Sequence, residues 1–148
     1  MTQDEVERAF AAWKGRYVWG VRVGAESLLS FEGGEPRLEV NEHHDVHGEL
    51  RREVLPRGGH RFVVFDARFE LGFHGETAAT DEDGPGTLAR AAAELSGQAL
   101  ERVGLEKGAL RLEFDLGAQL RVWRHPQSEP GALVWQLVSE GMQLVFRA

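Results

Sequence analysis

Val6, Phe10 and Trp13 recur at spacings of four and three, the stripe that one face of an α-helix presents. Thr2 with Glu5 three residues later has the form of a capping box, in which each side chain satisfies the other's free backbone N–H. Asp4, Glu5 and Glu7 fall near the positive end of the helix dipole, and Gly15 supplies a stop. This pattern predicts a helix over residues 2–14. From Arg16 to His74 the period falls to two. Tyr17, Trp19, Val21 and Val23 alternate with Arg16, Val18, Gly20 and Arg22, which reads as a strand with Trp19 inward. Ser27 to Phe31 reads as a second strand after a turn at Gly24-Ala25-Glu26, and Gly33-Gly34-Glu35-Pro36 breaks or bulges it. Arg37 to Val40 alternates again, Asn41 to Glu49 is polar and reads as a loop, and Leu50, Val54 and Leu55 mark a short strand before Pro56.

His60 to His74 has the form of a hairpin about Asp66-Ala67, pairing Val64 with Phe69 and Phe62 with Leu71 on a common apolar face. Leu88, Ala91, Ala92 and Leu95 restore a helical stripe, predicting a second helix over 84–96. Asp83 or Thr80 would cap its start and Gly97 would end it. Leu110, Leu112 and Phe114 alternate with charged residues, as do Leu120 and Val122. A tight loop at Leu116-Gly117-Ala118 pairs Phe114 with Leu120, Glu113 with Arg121 and Arg111 with Trp123. Leu133 to Val138 is apolar on both faces and reads as a central strand. Met142, Leu144 and Phe146 alternate toward the last residue. The elements predict one α+β domain over 1–148, with antiparallel sheets built of hairpins and two helices. Trp19, Phe62, Phe69, Phe114, Trp135 and Phe146 are its expected core.

Composition narrows the class. The chain has 148 residues, 42% of them hydrophobic, and no cysteine. A domain of that size buries enough surface to need no metal or disulfide staple. Without cysteine there is no thiolate nucleophile and no Cys-type zinc site, which fits the cytoplasm. No apolar run approaches the length of a membrane-spanning helix, and the acidic, polar start predicts no signal peptide. The net charge is −7, from 17 basic and 24 acidic residues, and no segment is a basic module. Nucleic-acid binding is therefore not expected. An acidic surface suits a basic protein partner.

Four marks carry a family resemblance: the early tryptophan strand at Trp19, the aromatic-flanked hairpin from Phe62 to Phe73, the helix ending Leu95-Ser96-Gly97-Gln98, and the Leu-x-Phe and Leu-x-Val strands before Trp135-Gln136-Leu137. Together they resemble a group of small bacterial proteins similar to the immunity proteins of polymorphic-toxin systems. The resemblance implies a cytoplasmic protein that binds a cognate toxin and has no chemistry of its own. The His-rich segment 41–49 is not part of that pattern.

The candidate chemistry is sparse. Glu42, His43, His44, Asp45 and His47 offer imidazole and carboxylate, the ligands zinc uses, so His43, His44 and His47 are candidate metal ligands, with His60 or Asp66 as a distant fourth. The glutamate is misplaced for a His-Glu-x-x-His motif, and Gly48 with the polar run around it favours a solvated loop over a metal site. No serine carries the glycines of a nucleophile elbow, and no glycine pair has phosphate-loop spacing. Asp66 and Asp115 at turns read as backbone-bonding aspartates. No catalytic residue and no cofactor is expected. The expected partner-binding residues are Asp81, Glu82 and Asp83 at the second helix, Glu42 and Asp45 in the loop, and Arg121 with Trp123 on an outward strand face. Trp beside Arg is the composition of binding hot spots. The favoured reading is a non-catalytic, immunity-type binding protein. Its rivals are a small metal-assisted hydrolase using residues 42–47 and a structural or oligomerisation module.

Overall fold

The computed structural model describes residues 1–25, 28–139 and 141–147. Its elements are α1 (Gln3–Phe10), β1 (Val18–Val23), β2 (Leu29–Gly33), β3 (Arg37–His44), β4 (Leu50–Arg57), β5 (His60–Val64), β6 (Ala67–Phe73), β7 (Glu76–Thr80), α2 (Pro85–Ala93), β8 (Leu100–Glu106), β9 (Ala109–Phe114), β10 (Ala118–Arg124), β11 (Leu133–Ser139) and β12 (Met142–Arg147). Ten strands form two five-stranded antiparallel sheets, ordered β1-β2-β5-β11-β12 and β7-β6-β10-β9-β8. The remaining two, β3 and β4, pair with each other and, among the described residues, with no other strand. The α+β class and the two helices stand as the sequence predicts.

The sheets face each other across one core. Leu29, Phe31, Phe62, Val64, Val134 and Leu137 of the first sheet join Phe69, Leu71, Leu110, Leu112, Leu120 and Val122 of the second in one buried cluster. Phe31 meets Phe114 edge-on across the gap, with ring centroids 6.2 Å apart. Alternation along each strand is what makes this possible, since one face of every paired strand is apolar. At one corner the sheets are stitched by backbone bonds: Val18 N–H donates to the Gln98 carbonyl and Gly97 N–H to the Val18 carbonyl, each at 2.8 Å.

The helices cover sheet edges, which would otherwise be open templates for pairing. The capping box of α1 is formed, with Thr2 accepting from the Glu5 N–H and Glu5 accepting from the Thr2 N–H. Hydrogen bonding to Thr2 lowers the Glu5 pKa. Gln3 ties the same end to β8, its Oε1 accepting the Leu105 N–H at 2.7 Å. The regular helix ends at Phe10, and turns carry the chain to Gly15. Val6, Phe10 and Trp13 are all buried, as their spacing requires. Trp13 stacks on Phe10 and on His60. Helix α2 packs against β1 and β7. Its N-cap is Gly84 with no side-chain bond, and Pro85 starts the helix. The expected caps are spent elsewhere, because Asp83 accepts the Thr80 N–H and the Thr80 hydroxyl accepts the Glu82 N–H.

Several expectations are corrected. Residues 60–74 are not a hairpin: β5 lies in the first sheet and β6 in the second, so the chain crosses the sandwich at Phe65-Asp66. Phe62 and Phe69 still meet in the core, but from opposite walls. The β9–β10 register is shifted by two, pairing Leu112 with Leu120, Glu113 with Gln119 and Arg111 with Arg121. Asp115 belongs to the turn, where its Oδ1 accepts the Ala99 N–H at 2.8 Å. Ala118 joins β10 in exchange, so the connection keeps three residues, 115–117, and moves one place toward the N-terminus. In β1 the buried residue is Val18, Trp19 is half-buried and Tyr17 is exposed. The cause is a bulge between Trp19 and Arg22, where Gly20 adopts a φ of 61°. Phe146 is half-buried and stacks on Trp135. Residues 41–44, expected as loop, belong to β3. Glu26 and Ser27, expected at a turn and strand start, lie outside the described residues.

Candidate functional site

The β3–β4 ribbon is the feature the core does not require. Every residue of β3 is exposed, and so are six of the eight in β4. Asp45 shapes its tip: Oδ1 accepts the N–H groups of His47 and Glu49, and Oδ2 accepts from Arg51 at 2.9 Å. The Glu49 N–H, with help from Arg51 and the His47 N–H, holds the Asp45 carboxyl below its ordinary pKa. At the root, Glu32 is 5% exposed and accepts both the Gly58 N–H and Arg57. A buried carboxylate bonded this way fixes where the ribbon leaves the sandwich.

Residues directly opposite in an antiparallel pair share a face. Leu38 lies opposite Pro56, Val40 opposite Val54, Glu42 opposite Arg52 and His44 opposite Leu50. One face is thus a row of Leu38, Val40, Val54, Pro56 and Leu50 with a single ion pair, Glu42 to Arg52 at 2.9 Å. Leu38 is 74% exposed, and Val40, Leu50 and Val54 are each a little over half exposed. The other face carries Arg37, Glu39, Asn41, His43, Arg51, Glu53 and Arg57 around Leu55.

The proposed metal ligands do not converge. His43 and His44 are consecutive in β3, so their side chains leave opposite faces, and His47 sits past the strand in the turn. Among the described residues no group of three or more His, Asp or Glu is placed to hold a metal. His60, the suggested fourth ligand, is 3% exposed, stacked on Trp13, and hydrogen-bonded through Nδ1 to Ser139 Oγ at 2.7 Å. Asp66 accepts from the Ser128 hydroxyl, a tie across the sheet crossing.

The acidic residues expected to meet a partner are largely engaged within the chain. Asp81 has a side chain only 11% exposed, accepts the Phe69 N–H and pairs with Arg68. Glu82 pairs with the same arginine at 2.9 Å. Asp83 closes its own turn, Glu42 holds Arg52 and Asp45 builds the ribbon tip. These are local structural roles, which acidic residues take readily beside backbone N–H groups.

Arg121 and Trp123 do come together. They lie two apart on the outward face of β10, with the guanidinium carbon 6.0 Å from the indole centroid. Both are half-buried and line a cleft of about 450 Å³ with Glu70, Lys107, Ala109 and Arg124. Sequence reasoning found this pair but missed the ribbon's apolar row. Its signal was available: Leu38 and Val40 mirror Pro56 and Val54 about the turn that follows His44.

No helix among the described residues is long and apolar enough to cross a membrane. No family model matches the chain, and neither a curated protein nor a solved structure matches it.

Proposed function

We propose that the chain is a non-catalytic binding protein of the immunity type, which neutralises a cognate bacterial toxin in the cytoplasm by covering it. The β3–β4 ribbon is the contact element. The observation that carries this reading is the apolar row of Leu38, Val40, Leu50 and Val54, exposed on a ribbon that pairs with no third strand among the described residues. An isolated two-stranded ribbon is marginal in water, and a contiguous exposed apolar face marks an interaction site. Burying a whole Val or Leu side chain contributes about 1.5–3 kcal/mol, and these four are already partly covered, so together they supply roughly 4–6 kcal/mol. Association itself costs about that much or more. The row is therefore an anchor, and the polar residues beside it, Glu42 and Arg52 first, complete the contact. The net charge of −7 favours a basic toxin and speeds encounter at low salt.

The hydrolase reading requires three histidines at one point, and strand geometry sends His43 and His44 apart. The test uses the tagged chain and a Val40→Glu/Val54→Glu double variant to capture partners from the source bacterium. The captured protein, produced alone, should arrest growth, and the parent chain should relieve that arrest while the double variant does not. A partner that is harmless alone, or equal relief by parent and variant, contradicts the reading.

A further inference from the structure

We propose that the cleft on the outer face of the second sheet binds a small aromatic carboxylate, with Arg121 as the anion anchor and Trp123 as the stacking plane. The site lies on the sandwich and does not involve the ribbon.

The charge arrangement around Arg121 is unbalanced. In the ladder it stands directly between Arg111 on β9 and Glu70 on β6. Like charges opposite one another destabilise a sheet unless each is neutralised. Arg111 is neutralised twice, by Glu113 at 2.9 Å and Glu106 at 3.4 Å. Glu70 accepts from the Thr77 hydroxyl. Among the described residues no carboxylate lies within ion-pairing distance of Arg121, which is what sets it apart from Arg111; the Nε atoms of both, like that of Arg57, are buried without a hydrogen-bond partner. An arginine that lines an open cleft without a carboxylate partner is suited to an incoming anion. The planar guanidinium fork matches a carboxylate.

The shape of the cleft sets the rest of the ligand. The turn between β8 and β9 is Lys107-Gly108, both with positive φ of 50° and 82°. That tight turn places Lys107 at the rim, while Gly108 and Ala109 add no bulk, leaving space beside the Trp123 ring. A volume of about 450 Å³ admits a bicyclic ring with a short acidic arm. The lining carries Lys107, Arg121 and Arg124 against Glu70 and Glu106, an excess of a single positive charge. Arg124 is partly used, since it donates to the Ser128 carbonyl at 3.0 Å. A monoanion fits that balance, whereas a polyphosphate would meet two carboxylates and a chain of net charge −7.

The test is a titration of the full-length 15N-labelled chain with indole-3-acetate, read by NMR. Tryptophol serves as the neutral analogue, cyclohexylacetate as the non-planar anion and inorganic phosphate as the other anion class. Saturable shifts are expected at the amides of 106–109 and 121–124 and at the Arg121 Nε–H. Tryptophol, cyclohexylacetate and phosphate should each bind at least tenfold more weakly. Arg121→Gln should weaken indole-3-acetate at least tenfold, with the other amide signals unmoved. Arg121→Lys keeps the charge without the fork, and should weaken it at least threefold even if the glutamine variant does not fold. The proposal is overturned if no saturable shift appears, if the shifts map away from the cleft, if tryptophol or phosphate binds as well as indole-3-acetate, or if the arginine variants bind like the parent.

Discussion

Gly33→Ala is a substitution whose cost can be worked from geometry. A Cβ on Gly33 would stand 2.2 Å from both Cε2 and Nε1 of Trp13, well inside any real contact. The indole has nowhere to go. It is 1% exposed and held by Phe10 at 6.2 Å, Phe31 at 5.7 Å and His60 at 5.5 Å between ring centroids. Forcing extra atoms into a packed core costs about 1–3 kcal/mol, and a clash with a fixed tryptophan belongs at the upper end. Glycine-to-alanine change also stiffens the unfolded chain, which offsets roughly 0.4–1 kcal/mol. The net loss should be about 2 kcal/mol, or a melting temperature lower by about 4–8 °C. Gly59→Ala is the control, because nothing lies within 4 Å of its Cβ and its φ is not left-handed. It should gain about 0.4–1 kcal/mol by the same unfolded-state argument. Urea unfolding at unchanged m-value separates the two. If Gly33→Ala proves as stable as Gly59→Ala, Trp13 does not lie on β2 as described.

The other side chains give sharper contrasts between structural and binding roles. Asp81→Ala should destabilise by about 2 kcal/mol in chemical unfolding, below the usual cost of breaking a buried pair because Arg68 keeps Glu82; an unchanged midpoint would return Asp81 to the binding surface. His43, His44 and His47 changed together to Ala should alter stability by less than about 0.5 kcal/mol, with or without zinc; a zinc-dependent loss would revive the metal reading. The Asp45 pKa is lowered in the folded chain, so its contribution to the ribbon tip is present above the ordinary carboxylate pKa and is lost as pH falls through the folded value. The protection of the His47 and Glu49 amides against hydrogen exchange, taken relative to their intrinsic rates, should therefore fall in acid, and Asp45→Asn should abolish the dependence; protection indifferent to pH contradicts the tip geometry.

What the sequence revealed follows from how each element is stabilised. The first helix was legible because its cap and its stripe are local: Thr2, Glu5, Val6 and Phe10 sit where their spacing puts them, while Trp13 is buried from the turn that follows the helix. Period two revealed strands, but it does not tell which strand is a neighbour. Val64 and Phe69 would share a face in a hairpin, and they equally face each other across two sheets. The β9–β10 register slipped by an even number, which preserves the inward face and so leaves the hydrophobic pattern unchanged. An odd slip would have been visible. The ribbon was hidden at Asn41 to His44 because a strand exposed on both faces has no apolar alternation there. Two tight turns were overlooked although glycine marks them: His74-Gly75 and Lys107-Gly108 both have positive φ, as two-residue hairpin turns require. Among the residues expected to meet a partner, the proximity of Arg121 and Trp123 was legible, since it is local to one strand. The pairing of Asp81 with Arg68 was not legible, because that arginine is a tertiary neighbour.

The central claim is that the β3–β4 ribbon holds the partner. Its most direct test is quantitative co-purification from the source bacterium with three baits: the parent chain, Leu38→Asp/Val54→Lys, and Trp123→Ala. All three should fold, because Leu38 and Val54 are exposed and Trp123 is half-buried at the sandwich surface. The account predicts one stoichiometric partner on the parent chain and on Trp123→Ala, and its loss from the ribbon variant by at least tenfold. Undiminished capture by the ribbon variant would contradict it.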